Sequence, residues 1–283
     1  MKKIFERLIV FFTGLPLLLS AIVFFPQYNH LVLNLVAITF SVLGALEFRN
    51  ILTHKNLCIS LPETIILGAI SPLAWTVVVS FGVPGNVVPG AFILGATWLL
   101  VFRVFTSKEK LESYISRTTA GFSIMIYPGL FMAWIVQMAV LRHASMVILV
   151  FFLVVFLNDA LAWATGVLFG KNNKGLIAAS PSKSIAGFIG GLFTSVLIGI
   201  LAVIFIPDVF DADFMPSVAA GALLGFVTGI AAILGDLGES AIKRSAGVKD
   251  SGTLIMGRGG ALDSIDSLAL AAPVYYVFYR ILF

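Results

Sequence analysis

Long apolar runs separated by short polar breaks dominate the sequence. A helix needs about 20 mostly apolar residues to cross the roughly 30 Å hydrocarbon core of a bilayer. Only 11% of the 283 residues are charged, against about a quarter in soluble domains. We therefore predict an all-α, polytopic integral membrane protein with about nine transmembrane helices. The candidate spans are 8–25, 31–47, 62–82, 88–105, 119–140, 145–168, 185–206, 216–235 and 267–283.

The basic residues fall on alternate sides of these spans. With a cytoplasmic N-terminus, 16 of the 18 lysines and arginines lie inside, leaving Arg142 and Arg280 outside. This is the asymmetry that orients membrane proteins. The inside set is Lys2, Lys3, Arg7, Arg49, Lys55, Arg103, Lys108, Lys110, Arg117, Lys171, Lys174, Lys183, Lys243, Arg244, Lys249 and Arg258. The net charge of +4 then reflects topology, and nucleic acid is not an expected partner.

The first span has a basic start that is similar to a signal peptide. It lacks a small-x-small cleavage site before Pro26, so we predict a retained helix in a multi-pass protein of the bacterial inner membrane. The single cysteine, Cys58, excludes an intrachain disulfide and a multi-cysteine zinc site. The chain is predicted to form one integral domain, 1–283, with scaffold-like helices in 1–145 and a catalytic half in 146–283.

Polar residues interrupt the second half of the chain. Asn158 and Asp159 lie inside an apolar run, where an acid is costly unless it is paired, metal-bound or in a wet cavity. The alternative is a packing aspartate paired with a lysine. Further along, Asp236, Glu239 and Lys243 share one helical face with Ser240. Such a stripe could bind a metal and a phosphate, or it could be a solvated helix end with an i,i+4 ion pair.

The segment 180–191, SPSKSIAGFIGG, places hydroxyls and Lys183 just before a predicted helix. Helix N-termini attract phosphate, and Gly187, Gly190 and Gly191 allow another backbone to approach. An ordinary N-cap followed by a small-residue packing face is an equally good interpretation.

The segment 240–266 concentrates acids, bases and glycines at the cytoplasmic membrane surface. Carboxylate oxygens and phosphates are the ligands that Mg²⁺ prefers, and lysines and arginines neutralise phosphate charge. This composition suits a metal-bound polyphosphate that meets a lipid headgroup.

The pattern Ser240-x-Ile242-Lys243-Arg244-x4-Lys249-Asp250-x-Gly252, followed by Gly259-Gly260-x2-Asp263-x2-Asp266, resembles the signature of phosphatidate cytidylyltransferases (CDP-diacylglycerol synthases). Upstream segments resemble the family's other motifs in the same order. They are Asn158-Asp159, Gly166 to Gly170, Ser180-Pro181-x-Lys183, Gly187-x-x-Gly190-Gly191 and Gly235-Asp236-x3-Ser240. The resemblance covers about residues 150–283, and the front half only by hydropathy.

The resemblance implies that CMP passes from CTP to phosphatidate, giving CDP-diacylglycerol and pyrophosphate. It also implies a homodimer, an active site facing the cytoplasm and a Mg²⁺ cofactor, with a second cation left open. The implied metal ligands are Asp236, Asp263, Asp266 and Asp159; the catalytic residues are Lys243, Arg244, Lys249 and Asp250; and the substrate contacts are Ser180, Lys183, Ser184 and Arg258.

The signature departs from the family pattern at Met256, Arg258, Ala261 and Ser264. A family histidine is replaced by Arg258, and a family arginine is replaced by Ser264. One hypothesis is that the local cation moved while the cation count was kept; the other is an inactive or repurposed homologue. A transporter, a lipid kinase and a non-catalytic scaffold are further alternatives. Polar groups confined to one side and one half disfavour a transporter.

Overall fold

The computed structural model describes residues 13–283, apart from 15, 103, 106–110, 213–214, 256 and 258. Within these residues the regular elements are helical, and β-pairing is limited to isolated bridges at Lys174–Ser184 and Ile255–Gly259. Residues 16–24 are also helical. The helices that follow are α1 (Gln27–Thr53), α2 (Leu61–Phe81), α3 (Val87–Val101), α4 (Tyr114–Val140), α5 (Ala144–Phe169), α6 (Ile185–Phe205), α7 (Ser217–Ser245) and α8 (Leu262–Leu282).

Seven of these helices are long and apolar enough to cross a membrane, which confirms the predicted all-α, multi-pass class. Helix α3, at 15 residues, is shorter than the predicted span 88–105. The candidate at 8–25 lies partly outside the described residues. The total of nine spans and the cytoplasmic N-terminus stay predictions.

The chain divides into two compact units. The first comprises Met1–Val140 and Ser245–Ile265, and the second comprises Leu141–Arg244 and Asp266–Phe283. The predicted single domain, with its halves 1–145 and 146–283, stays a prediction. Each unit is described by itself below.

In the first unit, local sequence sets the bounds of helix α2. Ser60 caps its start by accepting a hydrogen bond from the Glu63 amide, and Ser60 Oγ donates to Glu63 Oε2 over 2.8 Å. Ser60 is therefore an N-cap, and Pro62 lies in the first turn, where a missing amide hydrogen costs little. The helix ends at Gly82, which adopts the left-handed conformation (φ 69°) that favours glycine.

Helices α1, α2 and α4 meet around one buried hydroxyl. Ser41 Oγ lies 2.7 Å from the Gly68 carbonyl oxygen and 2.6 Å from that of Pro128. Pro128 lies in a π-helical turn, Met125–Leu130, that interrupts α4. Because proline has no amide hydrogen and its ring crowds the preceding turn, the α-helical hydrogen-bond pattern cannot continue there unchanged. Ser41 gives the interrupted backbone a polar contact inside the helix packing.

An ion pair inside the first unit joins α2 to α4. Arg117 is fully buried and pairs with Glu63, which is 12% exposed. Arg117 Nη1 also donates to the Leu99 carbonyl over 3.1 Å, and its guanidinium lies 5.3 Å from the centre of the Phe102 ring. Arg117 lies just outside the predicted span 119–140. The structure instead places it within helix α4, where its buried side chain joins two helices.

Replacing Arg117 with methionine should lower the midpoint of thermal unfolding in detergent. The change leaves the Glu63 carboxylate without its cation, and breaking a buried pair from one side typically costs about 3–5 kcal/mol. The double change Arg117→Met, Glu63→Leu should recover most of the loss, because it removes both charges. Arg142→Met, at an exposed cation, is the matched control. A single variant as stable as the control would contradict this assignment.

In the second unit, glycines let helices approach closely. A Cβ atom at Gly187 would lie 2.7 Å from the Ala162 carbonyl oxygen, and one at Gly191 would lie 2.9 Å from that of Asn158. Helix α6 therefore packs backbone to backbone on α5. This confirms the packing-face interpretation of these glycines. Beside the same contact, Asn158 Nδ2 donates to Ser195 Oγ over 2.8 Å.

Tyrosine hydroxyls anchor helix α8 within the second unit. Tyr275 donates to the Val147 carbonyl and Tyr279 donates to the Val209 carbonyl, each over 2.9 Å. Both side chains are buried, so each hydroxyl needs such a partner. These two bonds fix the distal part of α8, whose first residue in this unit is Asp266.

Candidate functional site

Carboxylates from three helices gather in the second unit. Asp266, on α8, interacts electrostatically with Asp236 and Glu239 on α7 and with Asp159 on α5. It is only 9% exposed. The structure thus brings together three of the four predicted metal ligands, Asp159, Asp236 and Asp266. Glu239, which the sequence placed on the same face as Asp236, joins them.

Close helix packing makes this arrangement possible. A Cβ atom at Gly235 would lie 2.5 Å from the Asp266 carbonyl oxygen, so α7 and α8 touch beside the acids. Ser267 Oγ lies 3.5 Å from Asp159 Oδ1, and the Ser267 amide donates to Asp266 Oδ1 over 2.6 Å. Gly235 is therefore required where the acidic residues meet, a role that the sequence alone did not reveal.

Lysines compensate two of these acids. Lys183, in the loop before α6, pairs with Asp236, and Lys243 pairs with Glu239 one turn away on α7. The side chains of Lys243 and Glu239 are 10% and 1% exposed. The i,i+4 ion pair considered for this stripe is therefore present, but it is buried rather than solvated. Lys183 and Asp236 are 53 residues apart in sequence, and their contact forms only in the folded unit.

The loop before α6 orients Lys183 through a turn and a cap. The Lys183 amide donates to the Ser180 carbonyl over 3.1 Å. Ser184 Oγ accepts from the Gly187 amide over 3.1 Å and caps α6. Ser184 is 5% exposed, which confirms the N-cap interpretation. Phosphate contacts by Ser180 and Ser184 stay predictions.

Asp263 lies in the first unit and organises a loop there. Its Oδ2 accepts hydrogen bonds from the amides of Ser251 and Gly260 over 3.0 and 2.7 Å. A Cβ atom at Gly259, whose φ is +115°, would lie 2.5 Å from the same oxygen. Metal binding by Asp263 stays a prediction. In the structure, this carboxylate fixes the signature loop, of which residues 251–252 and 259–261 are considered below.

A residue that the sequence analysis missed completes this loop. Glu47, on α1, accepts hydrogen bonds from the amides of Ala261 and Leu262 over 3.0 and 2.8 Å. The predicted span 31–47 ends at this residue, whereas helix α1 continues to Thr53. An acid within an otherwise apolar helix was the available signal.

The remaining predicted residues follow α7. Arg244 is exposed in its last turn, and Lys249 and Asp250 are exposed in the loop beyond it. Their catalytic roles stay predictions. The predicted substrate contact Arg258, and the departure Met256, lie outside the described residues.

The acidic cluster suits a divalent cation by its chemistry. Its donors are carboxylate oxygens, which Mg²⁺ prefers, and Asp266 forms no ion pair with a lysine or arginine among the described residues. In that part of the chain, no three histidine, cysteine, aspartate or glutamate side chains are grouped closely enough to hold a metal ion. The donors therefore fit in kind and charge, but they would have to draw together to coordinate the cation.

Comparison with known proteins gives this chemistry a family. The sequence model of the cytidylyltransferase family matches residues 5–282. A phosphatidate cytidylyltransferase of Thermotoga maritima is 33% identical over 225 residues, 77% of each chain. One of Haemophilus influenzae is 39% identical over 137 residues, 48% of this chain and 46% of the relative. One of Synechocystis is 40% identical over 135 residues, 46% of this chain and 44% of the relative.

The chain belongs to the cytidylyltransferase family, which confirms the family expected from its motifs. The match also extends through the front half, where the sequence analysis had only hydropathy. The part of the chain that aligns with the relatives from H. influenzae and Synechocystis spans less than half of their length.

Asp266→Asn should raise the midpoint of thermal unfolding of the metal-free protein. The substitution removes one negative charge from a buried site that faces three other acids, and the amide can keep the hydrogen bond from Ser267. Repulsion between like charges is destabilising, and Lys183 and Lys243 pair with Asp236 and Glu239 rather than with Asp266. Thermal unfolding in detergent with EDTA measures the effect. Asp208→Asn, at an exposed acid of the same unit, should not change the midpoint. A lowered midpoint for Asp266→Asn would show that its carboxylate stabilises the fold.

Proposed function

We propose that this protein is a phosphatidate cytidylyltransferase that transfers CMP from CTP to phosphatidate. The observation that carries the proposal is the acid–lysine cluster, buried at Glu239, Lys243 and Asp266, in a chain whose family match covers residues 5–282. The names of its relatives indicate the lipid substrate. Charged groups within membrane-spanning segments are costly and are usually kept for function.

In this reaction a phosphate oxygen of phosphatidate attacks the α-phosphorus of CTP. The bond between that phosphorus and the oxygen bridging to the β-phosphate breaks, and pyrophosphate leaves with the bonding electrons. A phosphate monoester is largely ionised near pH 7, because its second pKa is about 6. The nucleophile needs no general base, so the loss of the family histidine at Arg258 does not remove an essential proton acceptor. The main barrier is the repulsion between two polyanions.

The lysines of the cluster would reduce this repulsion between the two substrates. Lys183 and Lys243 are held at the site by Asp236 and Glu239. The ammonium group of each lysine would also contact a phosphate oxygen. Arg244, Lys249 and Arg258 would add cations for the triphosphate and the departing pyrophosphate, as the family resemblance implies. Positioning and charge neutralisation supply most of the catalysis in phosphoryl-type transfer.

Mg²⁺ would be held by Asp159, Asp236 and Asp266, with Asp263 as a further ligand by the family resemblance. When bound, the ion would neutralise phosphate charge. Asp236, which pairs with Lys183, would contact both the lysine and the ion. The number of bound cations is measured by titrating the metal-free protein with Mg²⁺.

The proposed setting is the bacterial inner membrane, with the site facing the cytoplasm where CTP is found. The predicted excess of basic residues on that side favours contact with anionic lipid headgroups. Phosphatidate would enter sideways from the cytoplasmic leaflet, so that its acyl chains stay in the bilayer. We further propose a homodimer, by the family resemblance.

The detergent-purified protein, given CTP, phosphatidate and Mg²⁺, should form CDP-diacylglycerol and pyrophosphate. EDTA should abolish product, and Asp236→Asn should lower kcat/KM by at least about 100-fold, the usual effect of losing a preorganised charge at a phosphoryl site. Asp208→Asn is the matched control. Chromatography of the lipid products separates this outcome from a lipid kinase. Bound CTP without product would indicate an inactive or repurposed homologue, and neither binding nor product would favour a transporter.

The double variant Arg258→His, Ser264→Arg tests whether the altered signature is compensated. If the cation moved while the cation count was kept, restoring the family residues should change kcat/KM by less than about threefold, since the local charge is unchanged. A large gain in activity would show that the native chain carries a weakened site.

A further inference from the structure

The strongest unassigned arrangement is the contact of Glu47 with the signature loop, both in the first unit. The Glu47 carboxylate accepts from the amides of Ala261 and Leu262 and lies 2.8 Å from Ser251 Oγ. The two amides belong to the start of helix α8, where backbone hydrogens have no partner within the helix. Glu47 therefore caps α8 from a residue more than 200 positions away in sequence.

Two signature glycines make room for this carboxylate. A Cβ atom at Gly252 would lie 2.8 Å from Glu47 Cδ, and one at Gly260 would lie 2.6 Å from the same atom. Both distances are shorter than real Cβ contacts allow. Neither glycine has a positive φ, so backbone conformation does not require glycine at either position. Space for Glu47 accounts for Gly252, and space for Glu47 together with the Ser251 hydroxyl accounts for Gly260.

Ser251 links Glu47 to Asp263. Its Oγ lies 2.8 Å from Glu47 Oε2 and 2.9 Å from Asp263 Oδ2, and its amide also donates to Asp263. One hydroxyl proton can serve only one of these carboxylates at a time. The two acids thus hold the loop from both sides through a single serine.

We propose that Glu47 is a positioning residue for the reaction: it fixes the signature loop at residues 251–252 and 259–261 and the start of α8, and thereby Lys249, Asp250 and Asp263. The role in catalysis rests on the proposed function. Glu47 touches no reacting atom in this account. Its effect is transmitted through the hydrogen bonds to Ser251, Ala261 and Leu262.

The substitution Glu47→Gln tests the proposal with little change in shape. An amide offers one acceptor oxygen and turns two donor hydrogens toward the backbone amides of the cap. We expect kcat/KM to fall on the order of 10- to 100-fold, the effect of losing one or two hydrogen bonds to a charged group. The loss should fall mainly on kcat and should persist at a temperature where Glu47→Gln is as fully folded as Glu112→Gln, a control at an exposed acid of the same unit. A loss of activity that only follows the unfolded fraction of the variant would reduce Glu47 to a structural role and overturn the proposal.

Hydrogen exchange gives a readout that does not depend on activity. The amide of Ala261 or that of Leu262 should exchange at least about tenfold faster in Glu47→Gln than in Glu112→Gln, because the glutamine keeps one acceptor oxygen for two amides. Peptides from α2, which Glu47 does not contact in this account, should exchange as before. Unchanged exchange at both amides would overturn the proposal. If the native protein proves inactive, the proposed function fails, and this exchange result decides alone whether Glu47 fixes the loop.

A double-mutant cycle with Gly252→Ala tests the spatial argument and remains informative if Glu47→Gln folds poorly. In the native background the added methyl should displace the Glu47 carboxylate and speed exchange at Ala261 and Leu262. In a Glu47→Ala background the methyl has room, so adding Gly252→Ala should change neither exchange nor kcat/KM further. Gly90→Ala, where a methyl meets nothing within 4 Å, is the matched control. Strictly additive effects of the two changes would contradict the proposed contact.

Discussion

The cost of keeping carboxylates among apolar helices is the constraint on which the rest of the site depends. An acid at membrane depth costs several kcal/mol unless a cation, a proton or water compensates it. In the second unit Asp266 is covered by protein and faces Asp159, Asp236 and Glu239. Two of these acids are compensated by Lys183 and Lys243. Such a cluster lowers the stability of the fold. It suits a reaction in which a cation and polyanions bind at the site.

The same constraint explains why small residues surround the site. Carboxylates from separate helices come together only where the backbones nearly touch, and Gly235 provides this between α7 and α8. Gly187 and Gly191 bring α6 against α5 in the same unit. In the first unit Gly252 and Gly260 leave the space that Glu47 fills. These glycines look alike in the sequence, but they make room for different close contacts.

Sequence reasoning reached those features that have a local physical cause. Helical spacing placed Asp236, Glu239 and Lys243 on one face, and the structure shows Lys243 paired with Glu239 there. Span length and composition predicted the all-α class, but α3 is shorter than its apolar run because the run includes residues beyond the helix end at Val101. The Ser184 cap was considered and is present.

Pairings between distant residues could not be read from the sequence. Lys183 meets Asp236, and Glu47 meets Ala261 and Leu262, only because the helices pack as they do. The sequence shows Glu47 as an acid in an apolar helix, but it does not identify the residues that Glu47 contacts. Arg117 is a related case. It lies just outside the predicted span 119–140, yet its side chain is buried beside Glu63.

Cytidylyl transfer to a lipid phosphate can be tested with two labelled substrates. CTP labelled at the α-phosphate and CTP labelled at the γ-phosphate are each incubated with the protein, Mg²⁺ and phosphatidate vesicles. The α label should enter the lipid, and the γ label should leave as pyrophosphate. Label from the γ-phosphate in the lipid would contradict cytidylyl transfer, because attack would then occur at the terminal phosphorus, as in a kinase.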